Sequence, residues 1–398
     1  MNLRSAICVL CMSAVSSVAS AEVFTFYIAT SVGQTSPSQG IYRSTLDTAT
    51  GRLSEPVLVA KAPSTSFIAI DSNGNYLYVV GSSSTQAPGP ATTQPAAGGP
   101  GAAAETGAVT AYAIDRATGN LRLINEQTSG GAGPNFLSID RSGRFVLLNN
   151  YGSGSIESVP IQANGGLGKP TGFVQHEGSS VNPQRQSGPH AHCILASPDN
   201  RRVYVTDLGL DKTLIYQFDS TKGMFTANNP PFAQSKPGVG PRHFIFHTSG
   251  KFLYVINEIE GSVTGYAVNA SDGGLTEIQT ISTFPEKYTG ATSSAELCVT
   301  PNGRFLYASN RGNSSVAAFR IDQTSGRLTL VEIETASMAS PGHISVDPTG
   351  AFMLATNRNG NSVSLYRINQ ETGALDISGP VILVPSPSCS EFVRTAAN

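Results

Sequence analysis

The sequence predicts an all-β protein, a seven-bladed β-propeller closed by its own C-terminal strand. Three observations lead there. First, a strand–turn–strand unit, clearest in GPRHFIFHTSGKFLYVINE from Gly240 to Glu258, recurs along almost the whole chain. Apolar residues alternate before its turn (Phe244, Phe246) and after it (Phe252, Tyr254, Ile256), with Thr248-Ser249-Gly250 as punctuation. Second, each copy runs on into a strand of the type SVxxYxI and a shorter one after a Gly. Examples are GSVTGYAV then GGLTEI, SSVAAFRI then SGRLTL, and NSVSLYRI then TGALDI. Third, the two ends of the chain each carry part of one further unit. With 41 Gly, 24 Pro and 13% charged residues in 398, the composition suits a turn-rich chain without long helical patterns.

Taken in order, residues 1–21 read as a secretory signal peptide. Arg4 supplies the positive start, Ala6 to Val18 is mostly apolar, and Ala19-Ser20-Ala21 fits a cleavage site. The mature domain, 22–398, is then expected outside the cytoplasm, in the periplasm or secreted. Its first unit, Phe24 to Leu53, lacks the strand that precedes the turn elsewhere. The tail run from Val381 to Val393, VILVPSPSCSEFV, has no partner of its own. Joining the two closes a ring and removes both free sheet edges. Six full units between them centre on Gly74, Gly143, Asn200, Gly250, Gly303 and Gly350, making seven blades. Residues 82–107, rich in Ala, Pro, Gly and Thr, have no large apolar side chain to bury and are expected to form a disordered insertion in blade two.

Cys8 and Cys11 would leave with the leader, and Cys193, Cys298 and Cys389 are expected as buried small hydrophobes, not a disulfide framework. No Cys/His spacing resembles a zinc site, and no metal or cofactor is expected. A net charge of −2 offers no reason for a nucleic acid or membrane partner, and a monomer is expected.

Repeat alignment separates scaffold from site, because structural positions recur. Seven residues after the turn stand Asn150, Asp207, Asn257, Asn310 and Asn357, expected to bond local backbone. Two other positions vary. Eight residues before the turn stand Ser66, Asn135, His192, Arg242, Ala295 and Gly342; eight after it stand Tyr151, Leu208, Glu258, Arg311 and Arg358. Equidistant residues lie side by side at the open end of a hairpin, and the first strand of each blade lines the channel. These positions should therefore meet at one channel mouth, gathering His192, Arg242, Glu258 and Arg311 as catalytic candidates. Arg185, on the loop entering blade four, should reach the same face. His190, His243, Glu296, His343 and Arg358 are further substrate-binding candidates, while His176 and His247 look like surface or turn residues. Guanidiniums suit carboxylate, phosphate or an oxyanion, and His or Glu can take a proton. No nucleophile elbow appears. The set points to metal-free acid/base chemistry on a small anionic substrate such as a carboxylate, or to simple binding of one.

The runs SGPHAHCILASPDNRRVYVTDLGLDKTLIYQF, GPRHFIFHTSGKFLYVINE, AELCVTPNGRFLYASNRGNSSVAAF and PGHISVDPTGAFMLATNRNGNSV resemble the lactonase-type seven-bladed propellers. That family includes a bacterial 6-phosphogluconolactonase and the fungal 3-carboxy-cis,cis-muconate lactonizing enzyme. The resemblance implies an active-site His at His192, Arg at Arg242, Glu at Glu258 and a further Arg at Arg311. Pro341-Gly342-His343 departs from it, since many relatives carry an Arg there. The expectation is hydrolysis of a sugar-acid lactone, with a muconate-type cycloisomerase and a non-catalytic binding platform as alternatives. Export makes a phosphate-free lactone a live option.

Overall fold

The computed structural model describes residues 22–32, 36–83 and 106–393, and among these there is no helix. Seven antiparallel sheets form, each led by a short inner strand: Thr65–Ile70, Pro134–Ile139, Ala191–Ala196, Pro241–Phe246, Ser294–Val299, Pro341–Val346 and Pro387–Phe392. Each inner strand touches the next, and the last touches the first, so the ring is closed. This is the expected seven-bladed propeller. The leader lies outside the described residues, as does 84–105 of the blade-two insertion.

Closure uses the tail, with one correction. Pro387–Phe392 pairs with Val23–Thr30, placing Phe26 opposite Phe392 and Ile28 opposite Ser390. The tail is not one strand, however. Ile382–Leu383 pairs instead with Ser362 and Val363 on the outer side of blade seven. The short strand Leu375–Ile377 covers only Tyr366 to Ile368, which leaves the start of that edge unpaired. Ile382–Leu383 satisfies those open backbone groups before the chain crosses to blade one.

Between blades, a buried Tyr recurs on the second strand and its hydroxyl finds a carbonyl in the neighbouring blade. Tyr78 donates to Gly165 (3.0 Å), Tyr204 to Gly273 (2.7 Å), Tyr254 to Gly326 (2.8 Å) and Tyr307 to Gly373 (2.9 Å). In the composite blade Tyr27 donates to Gly119 (2.8 Å). Each ring contributes about 2 kcal/mol of apolar burial while its polar tip stays satisfied.

The recurring polar residues act structurally, as expected. Asn150 donates to the Ser129 carbonyl (2.7 Å), Asn310 to Thr283 (2.8 Å) and Asn357 to Ser337 (3.2 Å). Asn257 reaches the Ser262 and Thr264 hydroxyls instead, at 2.9 Å each. Cys193, Cys298 and Cys389 are buried and free. His176 corrects the sequence reading, for it is buried, while His247 is a turn residue as expected but a buried one. His176 Nδ1 meets Asp207 Oδ2 at 2.7 Å, and His247 Nε2 meets the Gly303 carbonyl at 2.9 Å, sealing a turn against the next blade.

Candidate active site

One irregularity repeats in all seven blades. Near the same end, the inner strand carries one residue more than its partner. Thr65 faces Gly81 but Phe67 faces Val80; Ala191 faces Asp207 but Cys193 faces Thr206; Pro341 faces Asn357 but His343 faces Thr356. The same slip occurs at Asn135, at Arg242-His243, at Ala295-Glu296 and at Ser388. These bulges fall on the non-repeating position of the sequence. A bulge re-aims side chains. Regular alternation would send Arg242 and His243 to opposite faces, yet both line one cavity at the channel mouth.

The first cluster is built around Glu258. Its backbone N–H donates to the Gly240 carbonyl at 2.8 Å. Gly240 sits at φ +65°, where an added Cβ would lie 2.7 Å from Ile259, so this approach needs glycine. Glu258 Oε2 accepts from Arg242 Nε at 3.0 Å and lies 2.9 Å from Arg311 Nη2. Its Oε1 accepts from Arg185 Nη2 at 2.7 Å, and His192 Nε2 stands 4.0 Å from Oε2. The three arginines differ in freedom. Arg242 has a side chain 12% exposed and also donates to the Ala295 carbonyl, whereas Arg311 is 29% and Arg185 39% exposed. Burial alone would raise the Glu258 carboxyl, but the guanidiniums of Arg311, Arg242 and Arg185 overrule it and hold it far below the usual carboxylate range. Burial, with Arg242 and His243 nearby, lowers the His192 imidazole and keeps it neutral.

One layer away lies a second cluster. His243 Nδ1 meets Glu296 Oε2 at 2.8 Å. His343 Nε2 lies 3.6 Å from both Glu296 Oε2 and Glu391 Oε1, and the Cys389 thiol joins His343 and Glu391. Burial raises the Glu296 carboxyl, against the pull of His343 and Arg242. The Ser390 N–H lies 3.3 Å from His343 Nδ1, so Nε2 is the nitrogen turned to the two carboxylates. Burial opposes charge on this ring, but Cys389, Glu391 and Glu296 overrule it and raise the imidazole well above its ordinary value. His343, Cys389 and Glu391 each offer a ligand-type atom, all within 4.8 Å of one another. Arg358 lines the same cavity, of about 280 Å³, and its guanidinium has no acceptor among the described residues.

Profile and structure comparisons point the same way. The family described as "Lactonase, 7-bladed beta-propeller" matches residues 25–392. The chain belongs to this family. A 6-phosphogluconolactonase of Bacillus subtilis is 35% identical over 296 residues, 74% of this chain and 77% of that protein. One from Formosa agariphila is 32% identical, covering 74% and 78%. Among solved structures, the periplasmic gluconolactonase of Pseudomonas aeruginosa superposes with a TM-score of 0.84 at 27% identity, covering 94% of this chain and all of that one (100%).

Within the lactonase fold, the structure brings His192, Arg242, Glu258, Arg311 and Arg185 to one carboxylate, and His243, Glu296, His343 and Arg358 to the adjoining cavity. His190 departs from that grouping. It stacks on Tyr151 with ring centroids 4.5 Å apart, and its Nδ1 meets the Tyr151 carbonyl at 2.9 Å. It braces the rim and does not line the cavity around Glu258. Sequence reasoning passed over Asn149, Cys389 and Glu391. Cys389 and Glu391 follow the bulge at Ser388 in the tail, where no repeat unit was available to align them. Asn149 stands at a position with no signal beyond its neighbour Asn150.

Proposed function

We propose that this lactonase-family chain hydrolyses a sugar-acid lactone at the channel mouth, with Glu258 at the reacting centre. One observation carries the reading: a single buried carboxylate receives guanidiniums from three different segments on the wall of a cavity of about 330 Å³. That volume lies within the range of small-molecule sites. The names carried by the Bacillus and Pseudomonas relatives support lactone opening over lactone formation.

The chemistry follows from the donors present. Water attacks the lactone carbonyl carbon and gives a proton to Glu258. The carbonyl oxygen gathers charge and is met by the fixed guanidinium of Arg242 and by Arg311. The ring oxygen then leaves the carbonyl carbon and takes the proton back from Glu258 to become a hydroxyl. The carboxylic acid so formed releases its proton to solvent, giving the open-chain carboxylate and the starting Glu258. In the resting site Glu258 is a weak base because three cations hold it. As charge gathers on the carbonyl oxygen it shares Arg242 and Arg311 with Glu258, which relieves that hold, so the base strengthens as it takes the proton; a charged group on the substrate that captures Arg185 relieves it further.

Export by residues 1–21, in the periplasm or beyond, is part of the proposal, as is a monomeric state. A phosphate-free lactone suits that location, and the name of the Pseudomonas relative, a periplasmic gluconolactonase, supports it. Among the described residues no helix is long and apolar enough to cross a membrane. The test is acid release from a panel of δ-lactones, with and without a phosphate, by the mature chain. Faster opening than the buffer rate supports the reading. Loss of ultraviolet absorbance from a muconate-type diacid would move it to lactone formation, and binding without turnover to a platform.

A further inference from the structure

We propose that Asn149 and Asn135 fix which nitrogen of His192 carries the proton, so that His192 serves as a hydrogen-bond donor through Nε2–H while Glu258 takes the proton from water. The inference rests on the lactonase reading for its chemistry, but not for its geometry.

The chain of bonds starts at a group with no choice. The Ala191 carbonyl can only accept, and Asn149 Nδ2 lies 2.6 Å from it. Asn149 is fully buried, so its amide is set nitrogen-first towards that carbonyl. The same Nδ2 donates to Asn135 Oδ1. Turning Asn149 over would place its oxygen against two other oxygens. The orientation is kept although it leaves Asn149 Oδ1 without a partner among the described residues. With its oxygen occupied, Asn135 presents Nδ2 to His192 Nδ1 at 2.9 Å. An amide NH₂ only donates, so His192 Nδ1 must hold a lone pair, and the proton of the neutral ring sits on Nε2.

Nε2 is the nitrogen that faces the reacting centre. Glu258 Oε2 is 4.0 Å away, too far for a hydrogen bond, so the donor is free for a substrate oxygen. Around the ring stand Tyr151, with centroids 5.1 Å apart, His243 at 5.0 Å, and the Arg242 and Glu258 side chains. A neutral imidazole in this tautomer cannot accept a proton from water at Nε2. It can polarise the lactone carbonyl and stabilise the oxyanion without leaving a fixed charge there. Asn135 and Asn149 are then positioning residues, acting through His192.

Two measurements test this on the intact mature chain. Nitrogen-15 spectra of the histidine rings should show His192 protonated at Nε2 and not at Nδ1 near neutral pH; the opposite pattern overturns the proposal without reference to activity. Asn135→Asp replaces the donor by an acceptor, so His192 should switch to the Nδ1–H form. Lactone opening should then fall about a hundredfold in kcat with KM little changed, as for loss of one oxyanion donor, and the pH profile should gain a limb from the now basic ring. Asn135→Leu, which removes the donor without supplying an acceptor, should fall less and leave the tautomer mixed. An Asn135→Asp protein with wild-type tautomer and rate sinks the relay. If the wild type shows the expected tautomer but opens no lactone, the relay stands and the lactonase reading fails.

Discussion

Arg185 Nη2 lies 2.7 Å from Glu258 Oε1, tying the loop before blade four to the end of blade five across 73 residues of chain. It is the most exposed of the three guanidiniums on that carboxylate, and its other polar contact is the Tyr151 hydroxyl at 3.4 Å. An incoming anion can capture it at little structural cost.

Replacing Arg185 by Gln should therefore raise KM for an anionic lactone about tenfold while kcat holds or rises, the pattern of lost uniform binding. The pH dependence should move as well. Glu258 is depressed, so its contribution to stability and its charge are present above the unfolded carboxyl value and are lost as pH falls through the folded one. Removing one cation moves the acid limb of kcat/KM upward. Steady-state kinetics across pH checks both; a fall in kcat at constant KM would contradict the assignment.

Glu157 offers a stability test away from the chemistry. It is buried in blade three, has no hydrogen-bond partner among the described residues, and burial raises its carboxyl to about 7. The folded chain thus prefers it protonated. The sign is that of a raised acid: nothing is lost below the unfolded value near 4.5, and stability falls as pH rises from there to about 7. Glu157→Gln should match the wild type at pH 4 and exceed it by up to about 3 kcal/mol at pH 8. Denaturant unfolding at the two pH values reads the difference directly.

Gly342 is the inner-strand bulge residue of blade seven. It stands at the bulge beside Arg358, and an added Cβ would meet nothing within 4 Å. Gly342→Ala should leave folding and rate unchanged. Gly342→Arg adds a guanidinium to the 280 Å³ cavity and should lower KM for a phosphorylated lactone severalfold relative to its phosphate-free analogue. Equal KM ratios in wild type and variant would show that this cavity does not receive the anionic end.

The propeller was legible because its signal is additive: turn glycines, alternating apolar strands and a recurrent Tyr each repeat six times or nearly so. The Glu258 cluster was legible for the opposite reason, since Arg242, His192 and Arg311 break the repeat at a fixed offset. What the sequence concealed is the bulge. His243 and Glu296, one residue off the aligned position, could stand only as further candidates, because one inserted residue leaves no trace in an apolar pattern. The split of the tail was hidden for a related reason, in that only the unpaired edge of Ser362 and Val363 decides where Ile382–Leu383 goes. His176 was misplaced because its partner, Asp207, is distant in sequence and was read as a turn residue alone.

The central claim is that Glu258 takes the proton from the attacking water. Its most direct test is the rate of δ-lactone opening by Glu258→Gln, measured by acid release and corrected for the uncatalysed rate. The amide keeps the shape but cannot take a proton, so kcat should fall about a hundredfold or more while the chain stays folded. A Glu258→Gln protein that opens lactones at the wild-type rate would contradict the account.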